Sequence, residues 1–278
     1  MKKVRFCTIG LWVLTALAAG LLSAPPVRGE VLAIPGTGAC EPILAELAEA
    51  YRRAHPGDRV VIPPSSGSGG GIQAVLKGEA QVARVARPLK EEEERRGLVR
   101  TVFARDAVAF AVGRQVTVAH LSARQLAAIF SGKIKNWKEV GGSEGNIRVI
   151  VREPGDSSLI VIQANLDAFR EMVFAPSAKV ILYDRAAVEA LDKYRNSIGF
   201  VTLSSLKWSR GGIVPVALDG VAPSRKNILG GKYRLVEDYA FVYKDGIGDT
   251  AKRFIDFVFS PEGGKVMEEN GLVAAKRK

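Results

Sequence analysis

The sequence predicts an α/β protein built as two domains. Three observations carry the prediction. Short apolar runs rich in β-branched residues alternate with segments of helical periodicity. Twice in succession near the front of the chain, a strand, a glycine-rich turn and a helix follow one another. About 250 residues remain once an N-terminal leader is set aside, which suits two domains of ordinary size.

The leader is residues 1–29. Lys2, Lys3 and Arg5 make a basic front, and residues 9–22 form an apolar run of signal-peptide length, short for a membrane-spanning helix. Cleavage is expected after Gly29, which places the mature chain in the periplasm; an uncleaved anchor is the alternative. Cys7 stands at the front of the apolar run, not behind a small-residue lipobox at its end, which argues against a lipoprotein.

Residues 31–34 read as a short strand and 36–40 as a turn. Helical spacing follows over 42–55, with Ile43, Leu44, Leu47, Ala48 and Tyr51 on one face, Pro42 in the first turn and Pro56-Gly57 as the stop. Residues 59–62 are the next strand, 65–71 a second glycine-rich turn, and 72–77 a helix. This repetition implies a parallel sheet. Residues 80–85 form a strand, 91–96 a charged helix with a solvated face, and 107–112 a buried strand. Ser122 caps an amphipathic helix over 122–130, which stops at 131–133. A strand at 148–151 runs into a third turn, 152–158, and another helix. Strands follow at 198–201, 214–218 and 239–243, then helices at 250–259 and 261–272, the last ended at Gly271. There is no internal repeat or low-complexity linker.

The formal charge is +11, and removing the four basic residues of the leader leaves roughly +7. A basic balance suits an acidic partner. The positive residues are scattered, however, and acidic stretches such as residues 91–94 interrupt them. No basic stripe with interleaved aromatics exists, so nucleic acid is not expected as a partner. Cys40 is the one cysteine left after the leader, so no internal disulfide is expected. One cysteine with His55 and His120 does not make a metal cluster, and no nucleophile–base motif is present. No cofactor and no catalysis are expected.

Three turns share one design: residues 36–41, 65–71 and 152–158. Each follows a strand, is rich in small residues and opens a helix. A helix N-terminus presents unpaired N–H groups and partial positive charge, which favour an anion. Serine adds hydroxyl donors, and Arg152 offers a bidentate fork. The turns lack both the P-loop ending and the dinucleotide fingerprint, so no nucleotide is indicated.

The pieces Gly36-Thr37-Gly38-Ala39-Cys40, residues 66–71, Ala86-Arg87-Pro88-Leu89, residues 129–137 (Ile-Phe-Ser-Gly-Lys-Ile-Lys-Asn-Trp) and residues 152–158 resemble those of the periplasmic phosphate-binding proteins of ABC transporters, which are type II periplasmic binding proteins. The resemblance spans nearly the whole mature chain. It implies a two-lobed periplasmic binding protein fold with crossing hinge strands. Lobe I would hold residues 30–107 plus 239–278, and lobe II residues 108–238. Inorganic phosphate or a related oxyanion would sit between them, and a membrane permease would receive it from a monomeric receptor. A secreted anion-sensing or phosphate-scavenging protein without a transporter is the alternative.

Carried over by position, the resemblance puts Cys40 where the family has a hydroxyl residue, with the Glu41 N–H beside it. Ser68 matches the serine of the second turn and Arg152 the family arginine. Asp156, Ser157 and Ser158 fall where the family has Ser-Gly-Thr. Ala39 and Gly69 adjoin these positions and complete the expected ligand-binding set together with Arg84. Arg84 interrupts an apolar strand, which reads either as an exposed strand end or as a second anion-binding arginine. Ala86 stands where the family often has an aspartate or serine. Asp156 reads equally as a replacement acceptor in the site and as a helix N-cap. Cys40 reads as a weak S–H donor or a small filler, with a helix dipole that would favour its thiolate.

Overall fold

The computed structural model describes residues 31–277; the leader lies outside the described residues. Strand β1 (Val31–Ala33) leads through the first turn into helix α1 (Glu41–Ala54), which buries Ile43, Leu44, Leu47 and Tyr51. Strand β2 (Arg59–Val61) lies parallel to β1, and helix α2 (Gly67–Lys77) follows. Residues 67–71, read from the sequence as a turn, are thus the opening of the helix itself. The reason is a close approach: a Cβ on Gly71 would lie 2.7 Å from the Cα of Gly36. Gly71 trades helix propensity for contact between two backbones.

Next come β3 (Val82–Val85), a one-turn α3 (Glu91–Glu94) and β4 (Val99–Gly113). The sequence marks only the buried end of β4, because its first half is less uniformly apolar. Strand β5 (His120–Leu121) precedes α4 (Ala123–Phe130), whose cap is Ser122 as expected, with Gln125 completing a capping box. Then follow β6 (Arg148–Arg152), α5 (Ser157–Asn165), β7 (Lys179–Ile181), α6 (Asp184–Lys193) and β8 (Ser197–Thr202). Strand β7 and helix α6 have no counterpart among the sequence expectations.

The predicted strand at 214–218 divides at Val216 into β9 (Ile213–Pro215) and β10 (Ala217–Leu218), which pair with different neighbours, β4 and β5. The chain ends with α7 (Arg225–Leu229), β11 (Val236–Tyr243), α8 (Asp249–Val258), α9 (Pro261–Glu269) and β12 (Val273–Ala274). Helix α9 stops before the predicted bound, and the chain beyond Gly271 turns into β12, antiparallel to β4.

The sheet is mixed, which corrects the expectation of a parallel one. The main order is β3-β11-β4-β8-β6-β7. Pairing is parallel between β6 and its neighbours β7 and β8. Strand β11 runs antiparallel to β3 and β4, and β4 antiparallel to β8.

Two main cores flank the crossing strands. One takes residues 32–104 together with 239–272, among them Leu44, Tyr51, Phe103, Phe241 and Phe254. The other lies within 107–235, where Phe110, Phe130, Phe169 and Phe200 meet with ring centroids 5.5 to 6.2 Å apart. Strand β4 serves both. Its residues 99–107 pair with β11, and residues 108–112 with β8. The residue 129–137 signature is core packing in the second lobe. Phe130 and Trp137 are buried, and the Trp137 indole donates to the Asn196 carbonyl at 3.1 Å.

Candidate functional site

The three helix-opening turns converge. A cavity of about 230 Å³ lies between the lobes, walled by Thr37, Gly38, Ser65 to Ser68, Arg152, Glu153, Gly155 to Ser157 and Leu182 to Asp184. Strand β6 delivers Arg152 at its C-terminal end, and α5 opens behind it. Thr37 Oγ1 and Ser157 Oγ face each other across the cleft at 3.5 Å. From the second turn, Ser68 Oγ accepts the Ala86 N–H at 3.2 Å.

Arg152 is nearly fully buried and heavily engaged. Its Nε donates to the Ile181 carbonyl at 3.2 Å and Nη2 to the Leu182 carbonyl at 3.1 Å. Nη1 and Nη2 reach the two carboxylate oxygens of Asp184 at 3.0 and 3.3 Å, and Nη2 also reaches Asp156 Oδ2 at 2.9 Å. Asp156 is the N-cap of α5: its Oδ1 accepts the Leu159 N–H at 3.1 Å. The N-cap reading of Asp156 holds, and the same side chain also pairs with the arginine. Burial pushes its carboxyl up to about 6, against the pull of Arg152.

Of the remaining expected residues, Ser157 lines the cavity and several do not. Ser158 is buried and its hydroxyl turns away to donate to Glu237 Oε1 at 2.5 Å. Ala39 and Cys40 are buried beneath the first turn, and the Ala39 carbonyl accepts from the Tyr239 hydroxyl at 3.0 Å. The Glu41 N–H, expected as a ligand donor, bonds to the Gly38 carbonyl at 3.0 Å. The Glu41 side chain lines a neighbouring cavity of about 370 Å³ that shares Gly38, Ser65, Tyr183 and Asp184 with the first. Gly69 is exposed on α2, outside the cavity wall.

Arg84 also stands apart. It is fully buried and donates to the carbonyls of Ile34, Thr37 (2.7 Å) and Pro63 (2.7 Å), with Glu41 Oε2 at 3.8 Å. Neither sequence reading fits this placement. The strand end is interior, and the guanidinium fastens the loop ends of lobe I. Cys40 departs from the dipole expectation as well: burial pushes its thiol up to about 12 and outweighs the nearby Arg84.

Sequence reasoning missed Thr37 and Asp184. Thr37 was legible, since it sits inside the Gly-Thr-Gly turn. Asp184 opens α6, whose Ala187, Val188 and Leu191 have helical spacing that the reading passed over. Among the described residues no group of three or more His, Cys, Asp and Glu side chains could hold a metal ion.

Residues 23–262 match the PBP superfamily domain. The chain belongs to that superfamily. Superfamily relatives include the phosphate-binding protein PstS of Borreliella burgdorferi, 26% identical over 254 residues, which cover 89% of this chain and 91% of the relative. PstS of Bacillus subtilis is 28% identical over 249 residues, covering 87% of this chain and 80% of that one. A solved structure from Clostridium perfringens, a putative phosphate ABC transporter substrate-binding protein with bound phosphate, superposes with a TM-score of 0.78 at 26% identity, covering 89% of this chain and 100% of that chain. An ABC-type phosphate transport receptor from Vibrio cholerae gives 0.66 at 27% identity, covering 87% and 99%. These are substrate-binding proteins, and the two-lobed architecture of the superfamily is the one found here.

Proposed function

We propose that this protein is an extracytoplasmic receptor that captures inorganic phosphate or a closely related oxyanion between its lobes and delivers it to an ABC-transporter permease. The observation that carries the reading is the convergence of Arg152, the Ser68 and Ser157 hydroxyls and the openings of α2 and α5 on one interlobe cavity. Helix N-termini and a guanidinium are anion-binding devices in combination. The relatives' names and the phosphate in the Clostridium structure give the anion its identity.

The receptor acts by binding and closure, without chemistry. We take the lobes to divide as residues 30–107 plus 239–278 and 108–238, a division that the two main cores support. Export by the N-terminal leader, a monomeric state and the permease partner complete the proposal. Titration calorimetry of the mature chain with phosphate, sulfate, molybdate and phosphonates tests it. Phosphate should give saturable heat that Arg152→Ala abolishes while the variant still melts cooperatively. No heat with any oxyanion defeats the reading.

A further inference from the structure

We propose that Asp184 is a built-in competitor for the anion: its carboxylate occupies the face of Arg152 that a ligand must use, and thereby sets how tightly the cleft binds. The inference rests on the oxyanion reading and adds a residue that the sequence motifs do not contain.

The geometry is that of a bound anion. Both oxygens of Asp184 meet the guanidinium through Nη1 and Nη2, at 3.0 and 3.3 Å, the fork-to-carboxylate arrangement that a tetrahedral oxyanion would also adopt. Both side chains are 3% exposed, so water screens the pair little. The carboxylate also reaches the opposite lobe. A Cβ placed on Gly38 would lie 2.6 Å from Asp184 Oδ2, so this oxygen rests against the first turn of lobe I. An anion clamped between the lobes would stand in the same place, between the Gly36–Ala39 backbone and Arg152.

Asp184 has no capping duty to hold it there. The N-cap of α6 is Tyr183, and Asp184 lies in the first turn. Asp156 differs, because its cap bond to Leu159 fixes it at the start of α5. The titratable groups that face this site are Arg152 and Asp156 beside Asp184, Glu237 and Cys40 below, both held in their neutral forms by burial, and Glu41 with Arg185 at the mouth. One guanidinium thus faces two carboxylates at contact distance. Of the five N–H groups of Arg152, Nε–H and one on Nη2 are directed to carbonyls, and the others near the cavity meet carboxylates. An incoming anion has to take donors from Asp184 and overcome its charge.

Calorimetric titration with inorganic phosphate at fixed pH and ionic strength, comparing the mature chain with Asp184→Asn and Asp184→Ser, tests the inference. Circular dichroism and melting establish that each variant is folded, and the serine variant covers the case in which asparagine does not pack. A folded variant should bind phosphate roughly tenfold or more tightly, the scale of one nearby repulsive charge removed. A residue with a merely structural role would weaken binding when replaced. Tighter binding by a folded variant than by the parent supports the inference. Equal or weaker binding by folded variants overturns the inference and leaves the phosphate reading intact. No heat from parent or variants overturns the phosphate reading and the inference with it.

Discussion

The hydroxyl of Tyr239 lies 3.0 Å from Asp106 Oδ2 and 3.0 Å from the Ala39 carbonyl oxygen. One buried phenol on β11 thereby joins the crossing strand β4 to the first helix-opening turn. Both acceptors keep a second donor, Ser204 N–H at Asp106 Oδ2 and the Thr202 hydroxyl at Ala39, so Tyr239→Phe should destabilise the protein by about 0.5–1.5 kcal/mol, the net worth of a buried hydrogen bond. Urea unfolding checks this; an unchanged midpoint would show that neither acceptor depends on the phenol.

Glu237 sits one strand over from Asp106, fully buried, with Oε1 bonded to Ser158 and Oε2 without a hydrogen-bond partner. Burial, first, and the neighbouring carboxylates Asp156, Asp184 and Asp106 push its carboxyl well above the usual range. Burial likewise raises Asp106 to about 6. The folded chain therefore holds protons that the unfolded chain has released. This contribution is fully present below the ordinary carboxylate range and is lost as pH rises through the raised values. Glu237→Gln should match or exceed the parent's stability at pH 8 and lose that advantage by pH 4. Melting curves of both proteins across this range give the comparison, and an advantage growing towards acid would contradict it.

Arg84 ties three carbonyls from separate segments of lobe I. Lysine cannot present a planar fork to all three. Arg84→Lys should cost about 2–4 kcal/mol, in keeping with a broken buried charge network. A denaturation midpoint close to the parent's would show that the carbonyls find other donors.

Cys40 is sealed beneath the first turn and its thiol is pushed up to about 12. A soluble disulfide reagent at pH 8 should leave the native protein unlabelled and react fully in urea. Rapid labelling of the native chain would mean that the turn opens far more readily than its packing indicates.

The α/β class was legible because its signals are local, and the two lobes were implied by the resemblance those same segments carry. Glycine-rich turns, the Ser122 cap and the Phe130–Trp137 segment each announce themselves within a few residues. The sheet's mixed direction was not, because β4 and β11 pair across more than a hundred residues and nothing in either strand names its partner. At the site, the convergence of the three turns was legible from their common design. Arg84 misled because a buried arginine satisfied by carbonyls looks, in sequence, the same as one awaiting an anion. Asp184 was hidden for a related reason: its meaning lies in Arg152, on another strand, and in Gly38, on another lobe.

The core of the first lobe is completed by β11, α8, α9 and β12, which follow the whole of the second lobe along the chain. A growing polypeptide cannot close that core until residues beyond Tyr239 are in reach. The order of synthesis thus delays burial of Leu44, Tyr51 and Phe103 against Phe241 and Phe254 until the second lobe has been made.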